Sequence, residues 1–217
     1  REVLERIPYE DPCFPEAVKY KASLSHKKEE LSEEIARRIQ ALCVAPLVKE
    51  SWMHLLDAVY YREKLYSEAS ELAELLVKFS FCEDYANRYL VKIHSLHGAW
   101  QSVVFWAKCG LAEQPDDVEL LNKLIEAYIK QKNWAAVREY ASHGKRLHGH
   151  SSIFGHFLGL AENKLSRSEK AVEHFEKLPR SSLVSADVRF EYAQSLFYSF
   201  RYKKAKQFLE SVGLSSL

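Results

Sequence analysis

Trp100-Gln-Ser-Val103-Val-Phe-Trp-Ala107 and Trp134-Ala-Ala-Val137-Arg-Glu-Tyr-Ala141 decide the fold: a ring, a branched apolar residue and an alanine recur 34 positions apart. Stepping outward by the same interval reaches Tyr66, Ser168 and Tyr202, so four of the five positions carry a large ring. Three residues further on, the register reads Ala69, Val103, Val137, Ala171 and Ala205, and four beyond that Ala73, Ala107, Ala141, Phe175 and Leu209. Spacing of i, i+3 and i+7 is one stripe of an α-helix, the stripe that faces a neighbour. Self-similarity at a fixed period of this size marks an array of supersecondary units stacked on one another.

A second stripe precedes the first at the same interval. It runs through Leu56, Leu90, Leu124, Leu158 and Tyr192, with Tyr60, His94, Tyr128, Glu162 and Leu196 four residues later. One unit is therefore two helices, and units are expected near 50–83, 84–117, 118–151, 152–185 and 186–217. Leu31, Ile35, Ile39 and Leu42 predict a further helix that ends a partial or capping unit. Pro8, Pro12 and Pro15 interrupt regular structure, so residues 1–15 read as an irregular arm, followed by a short helix from Glu16 to about Ser25. Residues 16–217 then form one helical-repeat domain.

The register resembles the tetratricopeptide repeat superfamily over about residues 50–217. The matches are Leu158-Gly159 with Ala171 and Phe175, Leu124 with Tyr128 and Trp134, and Pro115 closing the unit of Trp100. Departures are Asp57, Val91, Ile125 and Ala193 in place of the family's glycine, and His94 and Glu162 in place of its tyrosine. The resemblance implies an all-α, right-handed superhelical array of antiparallel helix pairs, with about five repeats and a concave groove lined by the first helices.

Groove positions of the family fall here on His54, Tyr61 and Arg62; on Tyr85, Arg88 and Lys92; on Glu119, Asn122, Glu126 and Lys130; on His156, Asn163 and Lys164; and on Asp187, Phe190, Gln194 and Tyr198. Tyrosine interleaved with Arg88 and Lys92 suits an acidic or aromatic-bearing peptide, because Tyr and Arg are enriched at interaction hot spots. Phe197 and Tyr198, with Phe200 and Tyr202 beside them, give a second candidate surface at the terminal face, where no polar capping helix follows. The carboxylate clamp of chaperone-binding members is not matched: its positions read Arg88 and Lys92, then Lys123, then Ile153 and Phe157.

Composition narrows the function. Thirty-one Lys and Arg against 30 Asp and Glu leave a formal charge of +1, so no bulk field attracts nucleic acid. A base-reading RNA solenoid would repeat its code, yet the fifth position of successive units reads His54, Arg88, Asn122, His156 and Phe190. No phosphate-binding loop, nucleophile elbow or zinc-protease motif occurs, and no cofactor or catalytic residue is expected. Cys13, Cys43, Cys82 and Cys109 are too scattered for a zinc framework. His143, Lys145, Arg146, His148 and His150 crowd one stretch, but in this register they end a helix, where basic groups suit the dipole. No apolar run reaches membrane-span length.

The expectation is a cytoplasmic scaffold or adaptor for another protein or peptide, capable of homodimerising, and a piece of a larger assembly such as an anaphase-promoting-complex-like scaffold. A repeat-type chaperone of a bacterial secretion system and a helical-repeat RNA-binding protein are the alternatives.

Overall fold

A computed structural model describes residues 53, 56–62, 64–78, 83–149, 151–179, 182 and 185–211. The expected arm, the helices predicted at 16–25 and 31–44, Cys13, Cys43, Cys82, His54 and His150 lie outside the described residues; Arg62 is described for its backbone alone. All regular structure among the described residues is helical. After a π-helical stretch at Ala58–Arg62 come α1 (Tyr66–Lys78), α2 (Glu83–Leu96), α3 (Trp100–Glu113), α4 (Val118–Lys130) and α5 (Trp134–Leu147). Then follow α6 (Ser152–Lys164), α7 (Ser168–Glu176), α8 (Ala186–Tyr198) and α9 (Tyr202–Ser211). The second helix of every pair starts on the ring register, at Tyr66, Trp100, Trp134, Ser168 and Tyr202.

The chain divides into two compact units, residues 1–114 and 115–217. Pro115, read above as closing a repeat, opens the second. In the first unit α2 packs on both α1 and α3. Its core is built from Leu56, Val59, Leu72, Leu76, Leu90 and Ile93, with Ala69, Ala73 and Ala86 letting the backbones approach. In the second unit each helix from α4 to α9 packs on the next, and α6 also meets α8. Ala171, Val172, Phe175, Val188, Tyr192, Leu196 and Ala205 form one core cluster there.

Glycine is required where two helices of the second unit touch. A Cβ on Gly159 of α6 would lie 2.6 Å from the buried Phe175 ring of α7, and one on Gly144 of α5 would collide with the buried Phe154 ring of α6. Each ring fills the space a side chain would take, which is how close packing is reached without a void.

The hairpin turns repeat as faithfully as the stripes. Lys64, Gly98, Lys132, Ser166 and Phe200 all have positive φ, between 54° and 67°, and stand 34 residues apart. In the last four turns the next amide closes a six-residue ring onto the helix end: Ala99 to His94, Asn133 to Tyr128, Arg167 to Glu162 and Arg201 to Leu196, at 2.8–2.9 Å. The positive-φ residue itself donates to the carbonyl three back, as Lys132 does to Ile129 at 3.0 Å. These are Schellman turns, which satisfy the helix's last carbonyls. Only one of the five is glycine; a side chain in the left-handed region costs about 1–2 kcal/mol. The first turn differs: Leu65 donates six residues back, to Val59 at 3.1 Å, because the π-helical stretch adds a residue to the helix end. Asp117 and Asn133 cap α4 and α5 by accepting from the amides of Leu120 (3.0 Å) and Ala136 (3.2 Å).

Candidate protein-interaction surfaces

In the first unit the candidates gather around two residues that sequence reasoning did not select, Asp57 and Tyr89. Helical spacing places Tyr85 and Tyr89 one turn apart on α2, and both hydroxyls donate to the same oxygen of Asp57, Tyr85 at 2.7 Å. Tyr89 is buried, 3% exposed. Burial first, and then donation to the charged Asp57, push the Tyr85 phenol up to about 12 against the opposing effect of the Tyr89 hydroxyl, and burial with donation to Asp57 raises Tyr89 as well. Both phenols stay protonated, and so remain donors, throughout the physiological range.

Rings extend the cluster. Tyr60 meets Tyr61, Tyr66 and Tyr89 edge-on at 4.9–5.3 Å, Tyr61 lies 6.0 Å from Tyr89, and Tyr85 tilts against Tyr89 at 5.1 Å. Lys92 holds its ammonium 5.5 Å from the Tyr89 centroid, within cation–π range. Tyr61 keeps 57% of its surface exposed, so the cluster ends in an accessible ring. Arg88 donates to Gln114 Oε1 at 2.6 Å, and the Gln114 amide donates to Asp84 at 3.3 Å, which locks the guanidinium to the end of α3. Thus Tyr61, Tyr85 and Lys92 come together through Tyr89, while Arg88 belongs to a neighbouring polar bridge. The signal for Tyr89 was its i+4 spacing from Tyr85; Asp57 gave no signal beyond standing where the family has glycine.

Elsewhere in the first unit, Glu71, Glu74, Leu75, Lys78 and Trp106 line an open cleft of about 420 Å³ between α1 and α3. None of these was a sequence candidate.

In the second unit the groove candidates are partly consumed by packing. Lys164 pairs with Glu191 at 3.1 Å, and the Asn163 amide donates to the Glu191 carbonyl at 2.8 Å, so both hold α8 against α6. Glu126 pairs with Lys123 at 2.8 Å, and Lys130 is exposed at the end of α4. Asn122 Oδ1 is buried with no hydrogen-bond partner among the described residues. His156 stacks on Phe157 at 5.7 Å and tilts against Phe175 at 6.3 Å; burial lowers its pKa, against the pull of Glu191 and Asp187. Buried Glu162, in a tyrosine position of the repeat, lies 3.7 Å from Arg167.

The last hairpin carries the exposed rings. Phe197, Tyr198 and Phe200 are 55%, 60% and 79% exposed, with Phe190 and Tyr202 also more than half exposed. Phe197 meets Tyr198 at 5.6 Å and Tyr202 at 5.3 Å, both edge-on. A cleft of about 350 Å³ separates Tyr198–Phe200 from the α6–α7 turn at Ser166–Lys170.

In the basic-histidine stretch, His148 Nε2 lies 2.8 Å from the Asp116 carbonyl, where it donates as the Nε2–H tautomer, and its ring stacks on Phe154 at 6.0 Å. His143 lies 3.4 Å from Arg146. Among the described residues no group of three or more His, Cys, Asp or Glu side chains is arranged to hold a metal, and no helix is long and apolar enough to cross a membrane.

No protein-family model matches the chain, and no curated protein matches it in sequence. Solved structures do. MamA of AMB-1 superposes with a TM-score of 0.64 at 17% identity, over 76% of this chain and 90% of that one. A tetratricopeptide repeat protein from Parabacteroides merdae gives 0.63 at 15% identity, over 94% and 80%. Pseudomonas aeruginosa pilF gives 0.59 at 17%, over 78% and 77%. With the 34-residue helix pairs and their recurring Schellman turns, these likenesses establish that the chain has the fold of the tetratricopeptide repeat superfamily.

Proposed function

We propose that the chain is a protein-interaction scaffold or adaptor that holds a partner protein or peptide, as a subunit or segment of a larger assembly of the anaphase-promoting-complex kind. The observation that carries this reading is the tyrosine cluster of the first unit. Tyr85 and Tyr89 hold the Asp57 carboxylate, Lys92 lies over the Tyr89 ring, and Tyr60 and Tyr61 pack against that ring with Tyr61 left accessible. A rigid aromatic surface with polar groups already in place loses little entropy on binding, which is what a hot spot needs. Lys92 adds positive charge to the cluster and Arg88 carries more on the same helix, a combination suited to an acidic or aromatic-bearing segment.

The test is affinity purification of the tagged chain from its native host, beside Tyr61→Ala and Lys92→Ala versions that melt like wild type. A defined protein recovered with wild type and lost with both variants supports the reading, and mass photometry of the complex then counts its subunits. Identical recoveries from all three baits would remove the first-unit cluster as the binding surface.

A further inference from the structure

We propose that the α8–α9 hairpin is the seat of an acidic partner segment that inserts one apolar or aromatic side chain into the cleft facing the α6–α7 turn. This rests on the interaction reading above and gives it a second surface and a partner chemistry.

Phe200 is the starting point. It occupies the left-handed position of its turn, φ 60°, where Gly98 serves in an earlier repeat without steric conflict. A bulky residue in that region is a strained choice, and its ring gains nothing in return from the core, since 79% of it is exposed. Among the described residues its one ring contact is the edge-on approach to Tyr202 at 6.2 Å. Neither backbone nor packing accounts for phenylalanine here, and a contact outside the chain does.

The ring does not stand alone. Phe197, Tyr198 and Tyr202 are exposed around it and hold one another edge-on, which makes a contiguous aromatic surface of the kind that marks an interaction site. Tyr198 and Phe200 also wall the cleft of about 350 Å³, with room for one large side chain. The opposite wall, Ser166–Lys170, contributes hydroxyls together with Arg167 and Lys170.

Charge selects the occupant. The segment 197–206 carries Arg201, Lys203, Lys204 and Lys206 and no acid. Against these six cations of the hairpin and the cleft wall stand four acids: Glu176 pairs with Arg201 at 3.4 Å and with Lys204 at 2.5 Å, Glu210 lies 3.9 Å from Lys206, Glu162 lies 3.7 Å from Arg167, and Glu169 is in the cleft wall. Positive charge therefore predominates around the rings. A second copy seated here would bring the same cations face to face, whereas a segment rich in Asp and Glu is complementary.

Phe200→Gly provides a clean test, because glycine adopts the turn's φ freely. Random displayed heptapeptides are panned against wild type and against F200G. Wild type is expected to enrich sequences with Asp or Glu around a single Phe, Trp or Leu. A synthetic representative should lose at least tenfold in affinity for F200G and for Lys170→Glu, while F200G melts no lower than wild type. Enrichment indifferent to F200G, enrichment of basic peptides, or a dimer in light scattering that F200G disperses would each overturn the inference. Peptides kept by F200G and lost on Tyr61→Ala would leave the interaction reading standing with the seat in the first unit. Absence of any enrichment on wild type would sink both.

Discussion

Replacing Asp57 by alanine should destabilise the first unit by about 3 kcal/mol, judged from hydrogen bonds to a charged acceptor that contribute about 1.5–3 kcal/mol each. Two phenols donate to this carboxylate, and they differ in their access to water. Tyr89, 3% exposed, loses the charged acceptor of its buried hydroxyl and keeps only the neighbouring Tyr85 hydroxyl, so most of its bond is lost. Tyr85 is half-buried and recovers part of its loss by hydration. Relief of the partly desolvated carboxylate offsets some of the remainder. Urea unfolding followed by circular dichroism measures the total. A double-mutant cycle isolates the cause: Tyr89→Phe should cost about 2 kcal/mol in wild type and well under 1 kcal/mol in the D57A background, since the bond it removes is already gone. Tyrosinate absorbance offers an independent readout, because Tyr85 and Tyr89 should titrate closer to the ordinary phenol range in D57A. A loss below about 0.5 kcal/mol, the range of ordinary surface substitutions, or an additive cycle would refute the argument that Asp57 anchors α2.

Gly159→Ala should destabilise by about 1–2 kcal/mol: overpacking against Phe175 outweighs the gain of about 1 kcal/mol from better helix propensity, and Phe175→Leu added to it should restore part of the loss in a melting curve. Lys132→Gly should raise stability by up to about 1 kcal/mol, the difference between left-handed strain and the entropy cost of glycine, whereas Gly98→Ala should lower it; equal melting points would contradict the turn assignment. Burial lowers the pKa of His94, His156 and His174 in the folded chain, so the unfolded chain takes up protons that the folded one refuses. Their contribution is complete above the unfolded imidazole value of about 6.5 and is lost as pH falls through the folded values; the urea midpoint should drop between pH 7.5 and 5.5, less so in His156→Gln, and a rise would reverse the sign.

The repeat was legible because Trp100 and Trp134 bracket one whole unit and the small residues at 69, 103, 137, 171 and 205 keep the same phase. All five of those residues are buried, and the second helices begin on the ring register. The turns were not legible from composition, since four of the five left-handed positions are filled by Lys, Ser or Phe, whose local preference argues against that conformation. Schellman hydrogen bonding overrides it. Asp57 could be seen only as a missing glycine: its partners lie 28 and 32 residues away, and nothing nearby in sequence indicates that two hydroxyls converge on it. Asn163 and Lys164 matched groove positions, yet Glu191 draws both into holding helices together, a tertiary demand that position counting does not contain.

The two glycine sockets give the second unit a direction. Phe154 of α6 fills the space left by Gly144 on α5, and Phe175 of α7 fills the space left by Gly159 on α6, so each ring points back to the helix made before it. As the polypeptide leaves the ribosome, every arriving helix meets a receptor that is already present on its predecessor. Docking can then proceed in the order of synthesis, without waiting for later segments. The same directionality forbids simple reordering of the hairpins, because a transplanted helix would bring its ring to a surface with no vacancy, or leave a vacancy that no ring enters.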